Sequence, residues 1–454
     1  MKKLQLHSNK RNLKNRFTCK NKRRRHNFFS SQLGNFYIFQ IGQFVSLLGS
    51  MMTSFGLIMW SYDKSGSVLS TSYLTVCTLL PSVLLSILAG SLIDRMNKKK
   101  IILIADTLAA ICSLITFLLL INNQLQIWQL YIINIFLGIV SAFQDPASSV
   151  VISLIISKEN YTKTSGFISL SNACTTTFTP ILATSFYSLF GLKTIILIDL
   201  LTFLFAFMTL LLFVEIPDRV MVSQDKKESF LFNCKQGIHY LINRQNVLQL
   251  IFYMSFVNLI AAIYKSNLTP MILSRNGNNK FELGIVSSAV GIAGIVGSIF
   301  VSLLKEPKKR IPMIINVMSF SFVVCNGMLG IGRNYYIWVI AVFLGNSLIP
   351  FLTVNVEYIM RTKVPIDVQG RVFAVRNTLQ YTSILVGYLV GGFLADRIFE
   401  PFMRKESILQ EVCSTIVGQG SGAGSALIYI IIGMIGFVGC CYFRGNKQLR
   451  SLDE

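Results

Sequence analysis

Long apolar runs recur along the chain, separated by short polar stretches. A helix rising about 1.5 Å per residue needs about 20 apolar residues to cross the ~30 Å hydrocarbon core of a bilayer. Twelve runs reach that length: 35–61, 69–93, 101–122, 128–157, 166–190, 193–214, 247–273, 283–304, 311–332, 336–361, 372–395 and 424–443. The fourth is overlong and contains Pro146, which predicts a kink or tilt. The polar stretch Glu215 to Asn246 divides the spans six and six and has room for a surface-lying amphipathic helix around Phe230 to Ile242. Glu400 to Ala423 is also long, with an amphipathic run Lys405 to Val417 followed by Gly418, Gly420, Gly422 and Gly424, and reads as a lid, a spacer or a gate. The expected architecture is all-α and polytopic, with 12 transmembrane helices in two pseudo-symmetric six-helix bundles. Its parts are a basic tail (1–34), a first bundle (35–214), a linker (215–246), a second bundle (247–443) and a closing tail (444–454).

Composition fixes the solvent. Of 454 residues, 52% are hydrophobic and 14% charged, and the mean hydropathy of +0.58 excludes a set of soluble domains. Lys and Arg outnumber Asp and Glu 42 to 20, a net charge of +22 that suits an anionic leaflet; no nucleic-acid role is expected. Basic residues are retained on the cytoplasmic side of short loops. One set of loops holds Arg95, Lys98, Lys99, Lys100, Lys158, Lys163, Arg219, Lys226, Lys227, Lys235, Arg244, Lys305, Lys308, Lys309, Arg310, Arg361, Lys363, Arg371, Arg444, Lys447 and Arg450. The other side is sparser: Lys64, Lys193, Lys265, Arg275, Lys280, Arg333, Arg397, Arg404 and Lys405. Both termini are therefore expected in the cytoplasm, with the chain in the cell membrane. Trp60, Trp128 and Trp338 fall at expected outer ends, where indole favours the headgroup level. The tail Met1 to Asn27 has basic residues, no acid and no apolar core, so it reads as an anionic-lipid anchor ahead of an uncleaved first helix. Nine scattered cysteines suit neither a zinc cage nor a disulfide framework, and no metal or cofactor is expected.

Two offsets suggest an internal repeat. Pro146 precedes Gly166 by 20 residues and Pro350 precedes Gly370 by 20; the basic runs Lys98 to Lys100 and Lys308 to Arg310 close the second span of each half. Two similar bundles imply a midplane cavity whose access alternates by rocking.

The stretch Gly90-Ser-Leu-Ile-Asp94-Arg95-Met-Asn-Lys98-Lys99-Lys100 resembles the loop signature of the major facilitator superfamily, with Asn97 in place of a glycine. Gly90 permits close helix approach, Asp94 can face the positive end of a neighbouring helix, and Arg95 can pair with an acid. Gly90, Asp94, Arg95, Lys98 and Lys99 thus form an expected conformational latch. Further stretches resemble the macrolide-efflux-like branch of drug and metabolite exporters: Gly42-Gln43-Phe-Val-Ser46-Leu-Leu-Gly49-Ser50, Asp145-Pro146-Ala147, Ile198-Asp199-Leu-Leu-Thr202-Phe203, Lys363-Val-Pro365-Ile-Asp367-Val-Gln369-Gly370-Arg371 and Asp396-Arg397-Ile-Phe-Glu400-Pro401. Gly392-Phe-Leu394-Ala-Asp396-Arg397 mimics the loop signature, but it falls on the other side and at a position equivalent to the fifth helix, so it is not the repeat counterpart. The glycine-rich antiporter signature of helix five is degraded to Thr175-Thr176-Thr177-Phe-Thr179-Pro180.

An acid inside hydrocarbon is costly and marks a functional candidate when it faces a cavity. Asp145, beside Pro146 on a helix that lines the cavity in the family, is the preferred proton or cation-substrate site. Asp106 and Asp199 fit either a structural hydrogen bond or a proton carrier, and Glu357 sits one i,i+4 step before Arg361 at the inner rim. Arg361, Gly370 and Arg371 are expected to gate there. Gln40, Gln43, Asn258 and Asn326 fit substrate contacts or interhelical ties. No G-x-x-x-x-G-K-[ST] loop occurs and no nucleophile, base and metal set converges, so neither ATP-driven transport nor an enzyme is expected. The resemblance implies a monomeric secondary exporter of a hydrophobic or amphiphilic small molecule, such as a macrolide-like drug, siderophore or peptide metabolite, driven by proton antiport. An importer or facilitator of the same fold, and a lipid scramblase, are the alternatives.

Overall fold

The computed structural model describes residues 32–93, 96–156, 160–214, 216 and 239–453. The tail 1–31, the latch pair Asp94 and Arg95 and most of the linker lie outside the described residues. Among the described residues, eleven helices are long and apolar enough to cross a bilayer. Tyr161–Phe213 has 53 residues, about 80 Å by helical rise and far more than one crossing uses. Gly191, at φ 78° and ψ 177°, breaks it into α5 (161–190) and α6 (192–213). That backbone is open to glycine and strained for other residues, so one glycine makes the turn and the crossings among the described residues number twelve.

The first half is α1 (Gln32–Ser65), α2 (Val68–Ile93), α3 (Lys98–Ile121), α4 (Ile127–Ile155), α5 and α6. The second is α7 (Gln245–Arg275), α8 (Lys280–Leu303), α9 (Arg310–Ile331), α10 (Tyr335–Lys363), α11 (366–404), a short α12 (Ile408–Val417) and α13 (Ala423–Gly445). The expected spans differ from these by a few residues at most ends. The exception is α11, which runs past 395 through a π-helical segment Leu394–Phe399 to Arg404.

Ile104, Leu108, Ile111, Ile115 and Leu118 recur at helical spacing along α3 and are all exposed, a stripe that suits hydrocarbon and not water. Within the first half α1 packs on α5 and α6, α2 on α4, and α3 on α4 and α6. The second half repeats this pattern: α7 packs on α11, α8 on α10 and α9 on α13. Gly42, Gly49 and Gly56 form a stripe at seven-residue spacing on α1, and any Cβ there would overlap Thr209, Thr202 or Leu192 of α6; the helices meet that closely because the side chains are missing.

The start of α1 and the end of α13 define a terminal face; the other is the opposite face. Leu449 and Leu452 of the closing tail are buried, and the Asp453 carboxylate accepts from the backbone N–H of Arg310 (2.8 Å) and Ile311 (3.0 Å), closing the first turn of α9. All three tryptophans lie toward the opposite face, but only Trp128 is exposed. Trp60 and Trp338 are buried, and Trp338 Nε1 donates to the Gly332 carbonyl at 3.0 Å. Protein packing, not headgroup affinity, holds those two, so they are not the independent topology signal that the sequence suggested.

Candidate functional site

The halves meet through α2 against α11 and α5 against α8. Their contacts gather toward the opposite face. Among the described residues, the core that joins them draws Met59 and Val68 from the buried residues of the first half, with Phe55, Tyr62 and Tyr187 packed against it. On α5 and α8, Thr184 meets Gly284 and Thr177 meets Gly291. Toward the terminal face, Gly166 and Gly294 have open space where a Cβ would stand, and Leu170 and Ile299 are exposed. Along α5 and α8 the seam is therefore closely packed toward the opposite face and open toward the terminal face.

Charged groups reinforce the shut side. Asp63 at the end of α1 pairs with Lys280 at the start of α8 at 3.0 Å. The Tyr187 hydroxyl of α5 donates to the same carboxylate at 3.2 Å, and the Lys280 ammonium stands 4.9 Å above the Tyr187 ring. On α11, Asp396 accepts from the Val68 and Leu69 amides and the Ser67 hydroxyl at the start of α2. Glu400, one turn on, accepts from the Ser425 amide at the start of α13 at 3.2 Å. These acids line a cavity of ≈ 660 Å³ with Tyr62, Ser274, Arg397 and Arg404.

At the terminal face the Glu357 carboxylate of α10 is held by Arg376 of α11 at 2.7 Å, with Arg361 farther off at 3.6 Å. The Arg376 guanidinium also stands 4.8 Å from the Phe373 ring centroid. Sequence reading found the i,i+4 neighbour and missed Arg376, whose place is set by the next helix. Gln369 donates to the Arg361 and Val364 carbonyls at the end of α10, and Gly370 and Arg371 follow on α11. Of the loop signature, Gly90 lies on α2 and Lys98 is buried. The Lys99 ammonium donates to the Leu211 and Val214 carbonyls at the end of α6, a cap within the first half.

Inside the spans, Asp199 is buried and ties three helices, accepting from Ser50 of α1 (2.8 Å) and Ser113 of α3 (2.9 Å). Asp106 is buried on α3; Gln144 of α4 donates to it at 2.6 Å and the Gln43 amide of α1 lies beside it. Gln40 is buried on α1, Asn326 is buried on α9 against Gly433 of α13, and Asn258 is half-buried on α7. Asp145 differs: it is exposed on α4, and its carboxylate has no hydrogen-bond or ion-pair partner among the described residues. A second group of that kind is Lys265. The sequence tally counted it with the loop cations, whereas it lies ten residues inside the end of α7, about 15 Å along the helix. Its side chain is exposed although protein surrounds it, and among the described residues nothing pairs with it.

Comparison with known proteins agrees with this arrangement. The model of the Major Facilitator Superfamily matches residues 40–388. Macrolide efflux protein A of Streptococcus pyogenes is 25% identical over 376 residues, covering 80% of this chain and 90% of that protein. The Enterococcus faecalis protein of the same name is 25% identical over 336 residues, covering 71% and 99%. Among solved structures, the nucleoside transporter NupG superposes with a TM-score of 0.65 at 10% identity, covering 90% of this chain and 98% of that one. A bacterial homologue of the iron transporter ferroportin in an inward-facing state gives 0.65 at 12%, covering 92% and 100%. Two alike halves, with twelve crossings among the described residues, and a family match across residues 40–388 place this chain in the Major Facilitator Superfamily: it is a multi-pass membrane transporter of small molecules and not an enzyme.

Proposed function

We propose that the protein is a secondary active exporter of hydrophobic or amphiphilic small molecules, macrolide-like drugs among them, working by alternating access and driven by proton antiport across the cell membrane. The observation that carries this reading is the one-sided seam, joined near Asp63, Lys280 and Asp396 and parted near Gly166 and Gly294. This is one of the two states that rocking halves require. With the basic loops and both termini on the cytoplasmic side, the parted face receives cargo from inside the cell. The macrolide efflux proteins of two bacteria supply the cargo class. Asp145 is the group proposed to exchange the proton, since no partner among the described residues occupies its carboxylate.

Everted vesicles with an imposed proton gradient test both parts, using a radiolabelled macrolide as probe. Wild-type protein accumulates the probe, and accumulation stops when proton and membrane potentials are both collapsed. Asp145→Asn inserts normally and loses concentrative uptake. Accumulation that survives collapse of both potentials refutes secondary transport; full accumulation in the Asp145 variant removes that residue from coupling.

A further inference from the structure

We propose that Gly392–Arg397 is a second latch, at the opposite face, in which the Asp396 carboxylate grips the start of α2 and sets how much of the protein rests with that face shut. The Ser67 hydroxyl oxygen accepts from the Ser70 amide at 3.0 Å, as a helix N-cap does. The two amides it leaves, Val68 and Leu69, donate to Asp396 at 3.0 and 2.8 Å, and the Ser67 hydroxyl donates to the same carboxylate at 2.5 Å. One anion from the second half thus takes three donors at the positive end of a first-half helix, where charge-assisted bonds and the helix dipole act together.

The approach is prepared by sequence. A Cβ at Gly392 would stand 2.7 Å from the Leu69 Cα and 2.8 Å from the Ser72 hydroxyl, so only glycine lets α2 lie this close. The π-helical segment Leu394–Phe399 shifts the register of α11 as it arrives. Asp396 then addresses α2, while Glu400 addresses α13 of its own half. The surrounding charges are Asp63, Arg397, Glu400 and Arg404.

The placement also explains the duplicated motif. Gly90-Ser-Leu-Ile-Asp94-Arg95 and Gly392-Phe-Leu-Ala-Asp396-Arg397 share the pattern Gly-x-Leu-x-Asp-Arg. Of the first, Gly90 to Ile93 form the end of α2 at the terminal face, toward the start of α11; the second closes the membrane-spanning part of α11 at the opposite face, where α2 begins. These packed helices run antiparallel, so each carries the motif toward the other's N-terminus. They are related by exchange of helices and not by the repeat of the halves. Opening the opposite face requires α2 to leave α11 and Asp396 to surrender all three donors.

This inference rests on alternating access but not on the cargo or the coupling ion, and its test uses neither. In full-length, detergent-purified protein with all nine native cysteines replaced, a single cysteine is placed at Leu273, which is 2% exposed in the wall of the opposite cavity, or at Gly294 on the parted side. Asp396→Ala is expected to speed maleimide labelling at 273 about tenfold, the size of losing one helix cap, and to slow it at 294. Asp396→Asn and Ser67→Ala give smaller shifts in the same directions, and they serve if the alanine variant does not fold. Unchanged rates at both positions overturn the proposal. Faster labelling at both also overturns it, because that marks loosening and not a shift between states.

Discussion

Exchanging the two charges of the Asp63–Lys280 pair asks whether closure of the opposite face is electrostatic or merely steric. The ammonium and carboxylate stand 3.0 Å apart, with side chains 15% and 22% exposed for lysine and aspartate. At an effective dielectric of about 20, Coulomb attraction at that distance is about 5–6 kcal/mol. Desolvation and the ordering of a lysine cancel most of this, leaving a coupling of about 1–2 kcal/mol, a five- to thirtyfold change in an equilibrium. Lys280→Gln is therefore expected to raise the open fraction of this face about tenfold. Asp63→Asn does the same while keeping an oxygen for the Tyr187 hydroxyl. The double variant is no worse than either single one, and Asp63→Lys with Lys280→Asp restores most of the closure. The assay is maleimide labelling of a cysteine at Thr184, which is fully buried where α5 meets α8. Additive single effects, or no recovery in the swapped pair, would show that the two charges act separately and refute the reasoning.

Two further outcomes separate structure from transport. Asp199→Ala leaves the Ser50 and Ser113 hydroxyls without their acceptor and is expected to cost about 2–4 kcal/mol, seen as a lower melting temperature in detergent; Asp199→Asn keeps an acceptor and retains transport per inserted molecule. Lys265→Met removes an intramembrane charge with no partner among the described residues, so melting rises while uptake of the macrolide falls at least tenfold; normal uptake would make the lysine a bystander.

The spans were legible because bilayer thickness imposes one length on every crossing, and even the break at Gly191 showed as a polar-free gap between runs ending at 190 and starting at 193. What escaped was set by partners distant in sequence. The apolar run ends at 395, just before Asp396, Arg397 and Glu400; α11 continues to Arg404, and α2 and α13 supply donors for the two acids. Arg376 lies nineteen residues from Glu357 on another helix, beyond any local pairing rule. Lys265 was hidden by counting charges per side, a sum in which depth within a helix does not appear.

The closing tail gives synthesis an order. The first amides of α9 wait for a carboxylate that the ribosome delivers more than 140 residues later. Until Asp453 has been made, water or another acceptor has to meet those amides, so the first turn of α9 takes its final partner only after α13 has been made.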